Sequence, residues 1–217
     1  MPPNGDIDDI GAVVLAAGRS SRMGPTKLLL PLGDRTVLAH VVSAVEASRA
    51  APVVVVLGHE ADAVLASLPA GRWVGARNGD YAAGMASSLR VGVRALATQQ
   101  RPCAALRGAL VLLGDMPLVT TAIIDAVLEH ARAQPARIVA ASYDGARRHP
   151  VYFPRELFGE LAQLEGDEGG RSLLARHPDV VELVAVQPAA AALDVDTPQD
   201  YARVLDYWNA RHSAEGD

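Results

Sequence analysis

The sequence predicts an α/β protein, a Rossmann-like three-layer sandwich built around a mostly parallel sheet. Three observations predict it. Strand and helix patterns alternate from residue 10 to about residue 142. The strand patterns are apolar throughout, as in the four consecutive valines at 53–56, and such strands belong to sheets covered on both faces. Half of the 217 residues are hydrophobic, enough for a substantial core.

The elements follow in order. Residues 10–16, IGAVVLA, read as a buried strand. Residues 36–48 carry helical spacing through Val37, Val41, Val42 and Val45. Residues 52–57 form a second strand, 60–67 a short helix, 73–77 a third strand and 85–96 a helix. Residues 109–113 are a fourth strand, and 120–133 a helix capped by Thr120 or Thr121. Residues 138–142 are another strand. After about residue 145 the alternation weakens. A strand at 151–153, short helices at 154–163 and 170–175, a strand at 180–184 and a closing helix at 197–210 are expected. These later segments are expected to build a lobe over the sheet edge. One domain spans residues 10–210, with disordered tails at 1–9 and 211–217. No internal repeat is found.

Composition excludes several classes. The net charge of −5 gives no general attraction to nucleic acid or to an anionic membrane, so neither is expected as a partner. Local basic patches remain around Arg19 and Arg22 and at Arg147 and Arg148. The one cysteine, Cys103, allows neither an intrachain disulfide nor a cysteine metal cluster, and favours the cytoplasm. No apolar run approaches the roughly 18 residues of a membrane span, and the acidic start is unlike a signal peptide.

The most unusual feature is one lysine, Lys27, against nineteen arginines. It lies in the loop LAAGRSSRMGPTK, residues 15–27, just after the first strand. An ammonium on a flexible stem can follow a phosphate as a point charge in a tight loop, which a planar guanidinium does badly. Small residues at Ala16, Ala17 and Gly18 let backbone amides approach an anion. Arg22 adds charge. The loop is neither a Walker loop nor a G-x-G-x-x-G dinucleotide fingerprint. Ligands of such sheets bind at the carboxyl ends of the strands, where the loops after strands one, three and four fall.

Five further stretches have two readings each. Asp115, in LGDMP at 113–117, ends an apolar strand and is either a Mg²⁺ ligand or a turn former. Asp194 and Asp196, in LDVDTPQDY at 193–201, would share one face of a strand. One is a second metal ligand, or both serve capping and solvation before a helix with Thr197 as cap and Pro198 at its first position. Ser87 and Ser88 follow the turn-rich stretch at 78–84 and begin a helix that suits an anion or base edge, or they are capping residues. Arg147, Arg148 and His149 either grip a phosphate or form a basic turn. The stretch GDEGGR at 166–171 is a substrate-side lid or a connector. The other histidines show no metal spacing, and no G-x-S-x-G elbow occurs.

Together these motifs resemble the molybdenum cofactor cytidylyltransferases among the MobA-like NTP transferases, which activate molybdopterin. The first loop resembles that family's L-A-[AG]-G-x-S-x-R-M-G-x-x-K signature, and Asp115 its magnesium-binding aspartate in G-D-x-P. Residues 84–89, GMASSL, resemble its G-M-x-S-S-[LI] element. His149-Pro150-Val151, residues 167–171 and Asp196-Thr197-Pro198 resemble G-H-P-V, D-x-G-A-R and D-T-P-E-D. The match covers residues 10 to about 205. Arg148 stands where the subgroup has glycine, and Gln199 where it has glutamate. Ala17 stands where the guanylyltransferases carry glycine, which favours CTP over GTP.

The resemblance implies a nucleotide-diphospho-sugar transferase type of fold and transfer of CMP from CTP to a phosphorylated acceptor, the molybdopterin cofactor, with release of pyrophosphate. It implies that Leu15, Ala16, Ala17, Gly18, Arg19, Ser20, Ser87, Ser88 and Gly114 bind nucleotide. Lys27, Arg22 and Asp115 would act in catalysis, Asp115 and Asp196 would hold Mg²⁺, and His149 and Arg171 would face the acceptor. A molybdenum hydroxylase or its chaperone is the implied protein partner. Competing readings are a sugar or alcohol phosphate acceptor, an NAD(P)H-dependent oxidoreductase, and a non-catalytic cofactor-assembly protein.

Overall fold

The computed structural model describes residues 9–19, 26–99, 106–167 and 170–214. The central sheet has seven strands in the order β5-β4-β1-β6-β8-β7-β9. These are β1 (Ile10–Ala16), β4 (Val53–Leu57), β5 (Val74–Arg77), β6 (Gly108–Leu113), β7 (Ile138–Tyr143), β8 (Ala146–Pro154) and β9 (Val181–Ala185). β1 pairs in parallel with β4 and β6, and β4 with β5. β8 is antiparallel to both its neighbours, β6 and β7. A separate two-stranded ribbon, β2 (Pro31–Leu32) and β3 (Arg35–Thr36), follows the first loop. The α/β class and the mostly parallel sheet are as expected.

The helices are α1 (Val37–Glu46), α2 (Ala61–Ala66), α3 (Met85–Thr98), α4 (Thr121–Ala133), α5 (Phe158–Leu161), α6 (Arg171–Arg176) and α7 (Pro198–Ala214). They divide between the two faces because successive strand residues point opposite ways. Ala12, Val14 and Ala16 of β1 pack with α1, α4 and Val204 of α7. Val13 packs on the other side with Leu96 of α3, and α5 and α6 complete that layer.

Capping follows local chemistry where the sequence supplies it. The Thr36 hydroxyl accepts from Ala39 N at 3.2 Å, and the Thr120 hydroxyl accepts from Ile123 N at 3.4 Å. At the start of α7, Thr197 Oγ1 accepts from Asp200 N at 3.2 Å, and Asp200 Oδ2 accepts from Thr197 N at 3.1 Å. This reciprocal pair is a capping box.

Several expectations are corrected. The segments after residue 145 do not form a lobe over the edge, because β8 is inserted inside the sheet and β9 extends it. β8 is also much longer than 151–153, its exposed first half pairing with β7 through Arg147 and Arg148. The closing helix runs to Ala214, so residues 211–214, expected as part of a tail, are helical. The His212 ring, stacked on Trp208 at 4.0 Å between centroids, fastens its last turn. At the other end Asp9 is tied down by Arg107 at 2.7 Å. Among the described residues no helix is long and apolar enough to cross a membrane.

α3 lies unusually close to the sheet at Gly92. A methyl there would sit 2.3 Å from Val13 Cγ1 and 3.0 Å from Val56 Cγ2. Both valines are fully buried. Overpacking costs roughly 1–3 kcal/mol, against about 1 kcal/mol gained in helix propensity. Gly92→Ala is therefore expected to lower the melting temperature by a few degrees. An unchanged or raised melting temperature would show that α3 can lift off the sheet at little cost.

Candidate active site

β1 and β6 run side by side, with Leu15 opposite Leu113, so their loops leave the same edge together. Gly114 N donates to Leu15 O at 2.9 Å, which locks the two strand ends. Asp115 follows at once. Val195 N then donates to Asp115 O at 2.9 Å, and the Val195 side chain is wholly buried. That anchor brings Asp194 and Asp196 to the same edge from far along the chain. Residues 193–196 are irregular rather than a strand, yet Asp194 and Asp196 both line the cavity there.

Lys27 opens a short 3₁₀ turn, Lys27–Leu29, whose Leu28 is buried beneath it. Its Nζ donates to Asp115 Oδ2 at 2.6 Å and to Asp196 Oδ1 at 2.6 Å. The Lys27 and Asp115 side chains are 14% and 17% exposed, and Asp196 43%. Burial pulls the Lys27 ammonium down, but Asp115 and then Asp196 outweigh it, and its pKa rises above the ordinary lysine value. The charge is therefore complete at neutral pH. The stabilisation it supplies is lost only as pH rises through that raised value. Burial, then the charges of Asp115 and Asp196, pushes the Asp194 carboxyl up.

The cavity beside this cluster has a volume of about 490 Å³. Leu15, Ala16, Ala17, Gly18 and Arg19 form one wall. Ser88 of α3 and Arg171 of α6 also line it. Ser20 and Arg22 lie outside the described residues. Gly114 stands behind the wall, where a methyl would meet Leu38 Cδ1 at 2.8 Å. Ser87 does not line the cavity. Its hydroxyl donates to Asp80 O and Gly84 O, and accepts from Asn78 Nδ2 at 2.8 Å. Asn78 Nδ2 also donates to the Ser88 hydroxyl at 2.9 Å, so the serine pair holds the loop after β5 onto α3. His149 does not line the cavity either. Its ring N–H donates to Val111 O at 3.2 Å, and burial holds its pKa below the ordinary histidine value.

Sequence reasoning missed Tyr81, Met85 and Asp167, which line the same space. The Arg19 guanidinium sits 5.2 Å from the Tyr81 ring centroid, within cation–π range. Gly58 allows this packing, since a methyl there would lie 2.7 Å from Ala17 O and from Tyr81 Cβ. The start of α3 is closed by a distant loop. Ala86 N donates to Gly166 O at 3.1 Å and Met85 N to Asp167 Oδ1 at 3.3 Å. Gly84, at φ 102°, must be glycine on two counts, its left-handed backbone and the Gly166 carbonyl 2.4 Å from any Cβ. A turn-rich stretch ending in an aromatic, just past a strand's carboxyl end, was the available signal for Tyr81.

The donor set suits a hard divalent ion. Asp115 Oδ1 is buried and has no hydrogen-bond partner among the described residues, while Oδ2 accepts from Lys27 Nζ. No group of three or more His, Cys, Asp or Glu side chains among the described residues could hold a metal. One or two carboxylates completed by substrate phosphate is a common arrangement for Mg²⁺.

Comparison with known proteins gives one consistent family. A model of the MobA-like NTP transferase domain matches residues 12–181. Nicotine blue oxidoreductase of Paenarthrobacter nicotinovorans is 30% identical over 209 residues, covering 92% of this chain and 98% of that protein. The crystal structure of Rv0371c from Mycobacterium tuberculosis H37Rv is 36% identical with a TM-score of 0.78, covering 91% of this chain and 98% of that one. Rv0371c in complex with manganese aligns at 31% identity and a TM-score of 0.72 over the same shares. A nucleotidyl transferase from Methanothermobacter is 25% identical with a TM-score of 0.79, covering 93% and 98%.

Proposed function

We propose that this chain, which belongs to the MobA-like NTP transferase family, transfers CMP from CTP to a phosphorylated acceptor, the molybdopterin form of the molybdenum cofactor. The observation that carries this reading is the meeting of Lys27, Asp115 and Asp196 in one cavity with the small-residue loop after β1. A terminal phosphate oxygen of the acceptor attacks the α-phosphorus of CTP. The new P–O bond forms as the bond to the bridging oxygen breaks, and pyrophosphate leaves with that electron pair. The protein supplies no nucleophile, so positioning and charge do the work.

Backbone amides of Gly18, Arg19 and Ser20 hold the triphosphate, with Leu15 and Ala16 shaping the wall beneath. Arg22 neutralises the leaving pyrophosphate. Lys27 reaches the α-phosphate. Asp115 and Asp196 hold Mg²⁺, which when bound neutralises phosphate charge. Ala17 is nearly buried and lines the cavity; its methyl narrows the space for a purine and supports CTP. Ser88 contacts the nucleotide directly, and Ser87 and Gly114 support it from behind. Arg171 faces the acceptor, with His149 set behind. Cytoplasmic location and delivery to a molybdenum hydroxylase or its chaperone follow from the same reading.

The test is pyrophosphate release with CTP, GTP, UTP and ATP, each with and without molybdopterin. Release with CTP that depends on molybdopterin is expected. Equal release with GTP removes the base assignment, and release that depends on a sugar or alcohol phosphate instead removes the acceptor.

The similarity to nicotine blue oxidoreductase favours one other reading, NAD(P)H-dependent reduction. Loss of NADPH absorbance during turnover would establish it. The chain lacks a G-x-G-x-x-G fingerprint, which weighs against it.

A further inference from the structure

We propose that Lys27 competes with the divalent ion for the Asp115 and Asp196 carboxylates, so that in the nucleotide-free protein its ammonium holds the metal's place. The inference rests on the reading of Asp115 and Asp196 as metal ligands, and on neither CTP nor molybdopterin. Asp115 Oδ2 and Asp196 Oδ1 both lie 2.6 Å from the one nitrogen. A Mg²⁺-type ion binds such oxygens at about 2.0–2.1 Å, so ion and ammonium demand nearly the same point between the same two atoms. Their charges repel as well. Entry of the ion at that point therefore requires Lys27 to leave.

Where the side chain goes is set by its tether. Lys27 begins a turn anchored by buried Leu28 and by the Leu29 N–H bond to Thr26 O at 2.9 Å, so its backbone stays and its stem swings. The cavity that Lys27 lines is the space open to it. A triphosphate there offers the ammonium new anionic partners, and Asp194 lines the same cavity. The free protein thus binds metal weakly, and nucleotide admits metal by drawing the lysine off. The same side chain offsets the charge of Asp115 and Asp196 in the resting state and serves phosphate in the loaded one.

Two measurements without acceptor test this. The first is Mn²⁺ affinity in the absence of nucleotide, read from the spin resonance of the free ion. It compares wild type with Lys27→Met, Lys27→Gln and Asp115→Asn, each checked for folding by circular dichroism. Lys27→Met and Lys27→Gln should bind Mn²⁺ at least about tenfold more tightly, a gain equal to roughly 1.4 kcal/mol. Equal or weaker binding in both overturns the competition. Wild-type affinity in Asp115→Asn overturns the metal assignment itself, and the inference with it.

The second uses the wild-type protein, and so stands even if the lysine variants do not fold. Lys27 is the one lysine in the sequence, so its acylation by an N-hydroxysuccinimide ester is followed by peptide mass. Saturating Mn²⁺ should accelerate that acylation several-fold as the amine leaves its carboxylates. An unchanged rate overturns the proposal.

Discussion

Lys27→Ala is expected to lower turnover by about 10²–10³-fold, the range for removing one preorganised charge from a reacting centre. Nucleotide affinity should change far less. The reason is differential: only contacts stronger in the transition state than in the ground state raise the chemical step. In the free protein the ammonium is engaged by Asp115 and Asp196, so in the proposed reaction its work on the phosphates begins when those contacts are exchanged. Single-turnover rates and equilibrium CTP titrations separate the two quantities. Equal losses in both would end the transition-state role and leave Lys27 as a binding residue. Lys27→Arg should not restore the rate, because the planar fork cannot follow a shifting charge from so enclosed a position.

Asp115→Ala carries the second large effect. Loss of the carboxylate should abolish divalent-ion-dependent activity, a fall of at least about 10³-fold given the several kcal/mol that metal charge stabilisation supplies. The fold should survive, since the Asp115 contact that positions Val195 comes from its backbone carbonyl. Thermal melts and an activity titration with Mg²⁺ and Mn²⁺ check both halves. A folded variant with normal metal-dependent turnover would remove Asp115 from the site.

These two residues were legible because each breaks a pattern. Lys27 is the one lysine in an arginine-rich chain, and Asp115 ends a wholly apolar strand. The parallel half of the sheet was legible for a similar reason, since β1, β4 and β6 are continuous apolar runs that need cover on both sides. β8 was underestimated because its first half, from Ala146 to Arg148, is exposed and polar and takes its strand character from pairing with β7. The β2–β3 ribbon, two residues to a strand, carries no periodic signal. Serine capping is one of the two sequence readings of the start of α3. That start is closed instead by the backbone of Gly166 and the Asp167 carboxylate, partners that local sequence does not announce. Likewise the meeting of Lys27 with Asp196, 169 residues away, depends on the burial of Val195, a tertiary fact. Ser87 was assigned to the nucleotide for its hydroxyl, which the fold spends on Asn78, Asp80 and Gly84.

The Val195 anchor ties the Lys27 cluster to the far end of the chain. The segment that identifies the family ends at residue 181, and Asp194, Val195 and Asp196 lie beyond it. A protein trimmed to its recognisable core would keep Lys27 and Asp115 but forfeit the carboxylate that completes their triangle. The segment matched by the family model therefore holds two of the three groups of this cluster, and the third is delivered by the burial of Val195.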